Sequence, residues 1–220
     1  MKKYPRIPHV PGSKVSEDDI SVDYPQGRLL VYEKLDGTNL GVSLSVKDGV
    51  GELNFQNRGG FLENKRPHPQ WDAAKNWFNQ HYWGIMNYFA QNPGHTVFGE
   101  WLYAKHSIYY DRLPSYFMVY DIFDGQDFVK EYYRLHEAFR FSSGLALPKV
   151  IRETDDIHSF LSWYPTEYEA QYSSDPKAYE GFIFRDVYDH SRVFKYVRPE
   201  FTAGIKEHWF NRKLERNKLL

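Results

Sequence analysis

The chain has 220 residues, long enough to bury one sizeable core with appendages. Its 28 Lys plus Arg against 29 Asp plus Glu leave a formal net charge of −1, so nucleic acid is not gathered by bulk attraction and any such site must be a local patch. The absence of cysteine excludes a disulfide framework, a thiol nucleophile and a cysteine zinc site, and is compatible with a cytoplasmic or otherwise intracellular location.

The opening stretch MKKYPRIPHVPGSKV is basic, but prolines interrupt it and no apolar run follows. Residues 1–27 therefore read as a Pro-rich arm rather than a secretory signal. Strands are expected from Arg28 to Val46 and from Gly51 to Phe55 by their alternation, with Asp48-Gly49 as a tight hairpin turn, giving a meander from the outset. From about Gln70 to Ala90 the apolar positions Trp71, Ala74, Trp77, Phe78, Ile85 and Phe89 recur at helical spacing, and Asn92-Pro93-Gly94 stops the run. Strands return at TVFGEWLYA and YFMVYDIFD, followed by a helix at Glu131–Arg140, a short strand near Leu145–Ile151 and a helix at Asp156–Trp163. Two late strands, EGFIFRDV and RVFKYV, flank the turn-like YDHS, and a basic amphipathic helix over roughly Ala203–Lys218 closes the chain. Hairpin-length connections dominate and regular βαβ alternation is missing, so the expected fold is α+β with mostly antiparallel sheets and flanking helices. No segment approaches the roughly 20 apolar residues that cross a bilayer, and no membrane partner is expected. The 18 tyrosines, 16 phenylalanines and 6 tryptophans read mainly as core, with stacking on bases as the alternative use.

Neither a G-x-x-x-x-G-K-[ST] loop nor a G-x-G-x-x-G, G-x-S-x-G or H-E-x-x-H pattern is present. The chemistry-bearing residues are instead polar side chains set into apolar strand-like runs: Lys34 and Asp36, Glu100 in VFGEW, Asp121 in VYDI, Glu180 in YEGFIF and Lys195 in VFKYV. Taken singly, each could be a solvent-facing residue of a half-exposed sheet. Taken together, they would place two lysines beside two or three carboxylates. A lysine nucleophile needs a neutral amine, and its ordinary pKa of about 10.4 falls with burial or a second cation nearby. Apolar Val31, Leu35 and Leu40 would supply the first, and Lys195 or a divalent metal held by carboxylates the second. Such a site suits attack on phosphorus.

The hexapeptide Lys34-Leu35-Asp36-Gly37-Thr38-Asn39 resembles the K-x-D/H-G-x-N/R motif of the covalent nucleotidyltransferase superfamily, the polynucleotide ligases and mRNA-capping enzymes. The remaining motifs follow in order: FQNRGG with Arg58, FGEW with Glu100, FMVYDI with Tyr120, EGFIF with Glu180 and FKYVR with Lys195. The resemblance spans about three quarters of the chain, from Glu33 to Arg198. Asn39, together with GEWLYAKHSIYYDRLPSYF, is most similar to RNA ligases of the RNA ligase 2 type.

What the resemblance implies is an ATP-grasp-like ligase adenylylation domain over 28–200, a basic C-terminal helix over 201–220, and an ATP-dependent RNA ligase requiring Mg²⁺ or Mn²⁺. Lys34 would attack the α-phosphate of ATP and carry AMP, which passes to a 5′-phosphate end that a 3′-hydroxyl then seals. Glu33 would lie against the adenine edge, and Asn39 and Glu100 would contact the ribose. Tyr120 would stack on the base, or be core like its neighbours Tyr116, Phe117 and Phe123. Arg58 would hold a phosphate or cap its loop beside Gly59-Gly60. Glu180 would bind the metal and Lys195 the α-phosphate, while Asp36 is either catalytic or a turn residue. His106 and Lys105 lie in a loop that could meet pyrophosphate or RNA. Where many relatives carry K-x-K, Lys195 is followed by Tyr196, Val197 and Arg198, so that Arg198 would replace the second cation from one position further on. Only 22 residues follow Arg198, too few for an OB-fold, so RNA would be gripped by the C-terminal helix, the arm or an accessory subunit. The alternatives are a DNA ligase, a capping-type guanylyltransferase and a non-catalytic RNA-end-binding module.

Overall fold

Strands β1 (Leu29–Glu33) and β2 (Thr38–Lys47) do not pair with each other, which corrects the meander expected from Arg28. In the computed structural model, which describes residues 1–13, 19–64, 68–131, 134, 145–203 and 213–220, they lie in two different antiparallel sheets. The chain divides into two compact units. Unit 1 comprises Met1–Tyr4, Gly37–Ala104 and Pro114–Leu147, and unit 2 comprises Pro5–Asp36, Lys105–Leu113 and Pro148–Leu220. The α+β class with mostly antiparallel sheets is as expected, and neither sheet closes into a barrel.

Unit 1 is a five-stranded sheet in the order β4 (Gly60–Phe61), β3 (Val50–Asn57), β2, β5 (Thr96–Trp101), β6 (Phe117–Phe123). The β2–β3 hairpin turns at Asp48-Gly49, whose φ angles of 53° and 79° are both positive, the combination a two-residue turn needs to match strand twist. Helices α1 (Pro69–Gln80) and α2 (Tyr82–Gln91) replace the single helix read from Gln70 to Ala90. The run breaks at His81, whose backbone leaves helical geometry (φ −106°, ψ 15°); its ring stacks on Trp77 at 4.1 Å and its Nδ1 donates to the Trp77 carbonyl at 2.7 Å. The apolar stripe was nevertheless read correctly, because Phe78 meets Phe55 and Phe117 of the sheet at 5.2 and 5.1 Å.

Unit 2 holds the four-stranded sheet β7 (Val150–Thr154), β1, β8 (Gly181–Asp186), β9 (Val193–Val197). Helix α3 (Ile157–Glu167) starts where Asp156 accepts from Ser159 N at 3.1 Å, and packs Phe160 and Tyr164 over Val31, Phe182 and Phe184. Strand alternation then puts Lys34, Ile183 and Lys195 on the opposite side from that core. The helix expected at Glu131–Arg140 lies almost wholly outside the described residues. Of the expected C-terminal helix, the short α4 (Pro199–Ala203) is seen and 204–212 lie outside the described residues, while 213–220 are extended. That tail is drawn straight by pairing: Glu215 O accepts from Lys105 N at 2.8 Å, Lys218 N donates to Tyr110 O at 2.8 Å, and buried Asn217 accepts from Tyr110 N at 2.9 Å.

Gly181 is where β8 and β9 come closest. A Cβ there would stand 1.9 Å from the Tyr196 carbonyl oxygen, while the Gly181 carbonyl accepts from Lys34 N at 2.9 Å. Because backbone cannot yield as a flexible side chain can, Gly181→Ala is expected to lower unfolding stability by about 3 kcal/mol or to abolish folding. A chemical denaturation curve within 1 kcal/mol of wild type on this scale would contradict that.

Candidate functional site

Within unit 2, the end of β1 and the residues just after it deliver Glu33, Lys34 and Asp36. Lys34 Nζ lies 2.6 Å from Glu180 Oε2, with 22% and 12% of the two side chains exposed. Burial pushes the Glu180 carboxyl above its ordinary range, Lys34 opposes the shift, and Asp36 adds to it. Lys195, opposite Ile183 on β9, also acts on Glu180 and favours its charged form. Of the lysines and carboxylates singled out in the sequence, Lys34, Asp36, Glu180 and Lys195 lie in unit 2, whereas Glu100 and Asp121 belong to unit 1.

Asp36 holds a loop. Its Oδ2 accepts from Ser107 N at 2.6 Å and Ile108 N at 2.9 Å, and its own N–H donates to the Tyr110 hydroxyl at 2.8 Å. His106, in that loop, is buried. Glu33 points the other way, into the α3-covered core, and is 1% exposed. One oxygen accepts from Tyr168 OH at 2.6 Å and Gln171 N at 2.8 Å, while Oε1 is buried without a hydrogen-bond partner among the described residues. Burial raises its pKa to about 7. Arg198 donates through Nη2 to the carbonyls of Lys177, at 3.1 Å, and Tyr179, and its guanidinium lies 3.8 Å from the centre of the Tyr179 ring. It thus ties down the segment just before Glu180.

Within unit 1, Asn39 faces Glu100 across β2–β5 and its side-chain amide donates to the Tyr120 hydroxyl. Strict alternation would send Tyr120 and Asp121 to opposite faces. A bulge between Phe98 and Gly99 on the β5–β6 ladder shifts the register there. Tyr4 accordingly touches both: its ring packs on Tyr120 at 5.1 Å and its hydroxyl donates to Asp121. Burial holds the Tyr120 hydroxyl well above its ordinary pKa, so it stays protonated. Arg58 stands apart, exposed in the β3–β4 turn, where Asn57 Oδ1 accepts from Gly59 N at 2.9 Å.

Sequence reasoning missed Tyr168 and Gln171 behind Glu33, Tyr110 and the 107–108 amides behind Asp36, and Tyr4 behind Asp121. None carries a local signal, since the pairs are separated by up to 138 residues.

The chain belongs to the RNA ligase family, whose model matches residues 27–197. Among solved structures it is similar to Naegleria gruberi RNA ligase with pyrophosphate (17% identity, TM-score 0.56, covering 82% of this chain and 52% of that one). It is likewise similar to a variant of that enzyme with ATP and manganese (17%, 0.55, 83% and 53%) and to another with AMP and manganese (15%, 0.55, 82% and 52%). The chain thus spans about half the length of these structures. No curated protein matches it.

Glu33 predicts a pH signature. Its native pKa of about 7 lies above its ordinary 4.5, so between these values the folded state keeps a proton that the unfolded state has lost. The protonated side chain's contribution is therefore complete below pH 4.5 and lost as pH rises through 7. Relative to Glu33→Gln, wild-type stability should fall by up to roughly 3 kcal/mol from pH 4.5 to above pH 7, measured by urea unfolding across pH. A pH-independent difference would refute it.

Proposed function

We propose that the chain is an ATP-dependent RNA ligase, with 28–200 as its nucleotidyltransferase domain, that joins 5′-phosphate and 3′-hydroxyl ends through AMP carried on Lys34. The observation that carries this reading is the Lys34 amine held 2.6 Å from the largely buried Glu180 in a cluster with Asp36 and Lys195. Family membership and the expected motif order support it.

In this reading the Lys34 lone pair forms a bond to the α-phosphorus of ATP as the bond to the β-phosphate oxygen breaks, and pyrophosphate leaves. The Lys34 proton must depart first, and Glu180 Oε2, with its raised pKa, is the nearest acceptor. Lys195 balances charge on the α-phosphate oxygens. An RNA 5′-phosphate oxygen then attacks the same phosphorus, and its P–O bond replaces the P–N bond, restoring Lys34. A 3′-hydroxyl finally displaces AMP. Asp36 keeps the 107–108 loop in place throughout.

Within unit 2, Glu33 offers the unmet Oε1 as acceptor for an adenine amino group. Within unit 1, Tyr120 offers a ring face, and Asn39 and Glu100 offer polar groups suited to a ribose. Arg58 and Arg198 are assigned to phosphate, Arg198 through the charge left by its two carbonyl contacts.

No three His, Asp or Glu side chains gather as a metal site among the described residues. The donor set, Glu180 with Asp36 close by, fits a hard cation that shares its remaining positions with phosphate oxygens and water, as Mg²⁺ and Mn²⁺ do. Bound there by Glu180, the ion would neutralise phosphate charge and compete with Lys34 for its counter-ion.

The test is incubation with ATP or GTP labelled at the α-phosphate, with Mg²⁺ or Mn²⁺, followed by denaturing electrophoresis. Label from ATP should persist on wild type and be absent from Lys34→Ala, and nicked duplexes with RNA at the break should then be sealed. Absence of label from any nucleotide overturns the reading, and label from GTP alone replaces it with a capping-type guanylyltransferase.

A further inference from the structure

Strand β9 has one sheet partner, β8, and its other edge is covered by the N-terminal arm. Lys195 N donates to Pro8 O at 2.9 Å, and Val10 N donates to Lys195 O at 3.0 Å. The chain then returns along the arm's outer side, where His9 N donates to Ile20 O at 2.7 Å and Val22 N to His9 O at 3.0 Å. The Lys195 backbone is thereby clamped by a segment some 180 positions earlier in the sequence.

The side chains continue the clamp. Asp19 divides its carboxylate, with Oδ1 3.8 Å from Lys195 Nζ and Oδ2 3.4 Å from His9 Nε2. His9 is 2% exposed, and its Nδ1 lies 2.6 Å from Ser13 Oγ, which also accepts from Val197 N at 2.9 Å. The Asp19 carboxylate 3.4 Å from Nε2 can only accept, which favours the ring proton on Nε2 and leaves Nδ1 to accept the Ser13 hydroxyl proton, with the Val197 amide on a Ser13 lone pair. Burial first, and then Lys195, lower the His9 pKa, while Asp19 raises it and Lys34 lowers it slightly further. A neutral, oriented imidazole therefore stands behind the carboxylate.

We infer that Asp19 is a positioning residue for Lys195: steadied by His9 and Ser13, its carboxylate fixes where the Lys195 ammonium stands relative to the Lys34–Glu180 pair. A partly exposed ion pair at 3.8 Å contributes little to stability, so Asp19 and its contact with Lys195 are not explained by stability alone. They are explained if the direction of one ammonium matters, because displacing a group that meets reacting phosphate is costly in rate. The role of Lys195 rests on the reaction proposed above, whereas the clamp itself does not.

The experiment is a double-mutant cycle on the full chain. Wild type, Asp19→Asn, Lys195→Met and the double variant are compared for the single-turnover rate at which α-phosphate-labelled ATP marks the protein. Asp19→Asn should slow labelling about tenfold or more in the wild-type background and less than about twofold beside Lys195→Met. No slowing, or the same slowing in both backgrounds, overturns the inference. If wild type takes no label at all, it is the ligase reading that fails, and the clamp is then decided by NMR titration of the His9 ring. Asp19→Asn should lower the His9 pKa by roughly 1 unit and Lys195→Met should raise it. A His9 titration unmoved by either substitution overturns the clamp.

Discussion

The Lys34–Glu180 pair is the constraint around which unit 2 is arranged. At 2.6 Å and largely out of water, each charge of the pair offsets much of the other's desolvation cost, with Lys195 also favouring the charged Glu180. That proximity is built by backbone. Lys34 N donates to Gly181 O, and Arg198 N to Glu180 O, so both neighbours of the pair are fixed by main-chain bonds before any side chain is placed. The pair also restrains its own chemistry. A carboxylate beside an amine favours the ammonium, whereas the reaction proposed above needs the free amine. Burial offsets this by raising the Glu180 pKa, which brings the two groups closer to sharing one proton than an exposed lysine and glutamate would be.

The two residues at the end of β1 show how much the pleat decides. Glu33 and Lys34 are adjacent, so they face opposite sides of the sheet. One side is closed by α3 and the chain after it, where Glu33 is buried to 1% exposure against Tyr168 and Gln171. The other side carries Lys34 and Lys195. A slip of one residue in the β1–β8 register would exchange them, placing a lysine in an aromatic core and a glutamate among carboxylates. The close approach at Gly181 and the bulge at Val31/Tyr32 against β7 are local departures that leave this register intact.

Local signals were legible and distant ones were not. Asp48-Gly49 specified its hairpin because positive φ at two successive positions is a property of those two residues. The stripe of Trp71, Ala74, Trp77 and Phe78 specified a buried helix face, and the hexapeptide from Lys34 to Asn39 pointed to the family whose model matches residues 27–197, since both are contiguous. The break at His81 was hidden because histidine is an ordinary helix residue and the apolar spacing continues across it. Tyr120 and Asp121 could be taken as residues of interest, but not as residues of one face, because a bulge leaves no mark on a period-two pattern. Asp36 was read as turn or catalyst. Its grip on the Ser107 and Ile108 amides depends on a loop 71 residues away that no local pattern announces.

The Pro-rich arm carries the same lesson into the site. Proline lacks a donor, which makes it a poor member of a central strand and a tolerable one at an edge. Along β9 the arm uses only what it can supply: the Pro8 carbonyl toward Lys195 N, and the Val10 amide toward Lys195 O. The intervening His9 turns its backbone outward to Ile20 and Val22. An edge that would otherwise present unpaired amides is closed by the arm, whose own outer side is met by Ile20 and Val22. Lys195 is thus held on both flanks, by Ile183 of β8 and by the arm, which fixes its backbone at two successive hydrogen bonds. The prolines that argued against a signal sequence are, in the folded chain, part of what fixes a lysine of the candidate site.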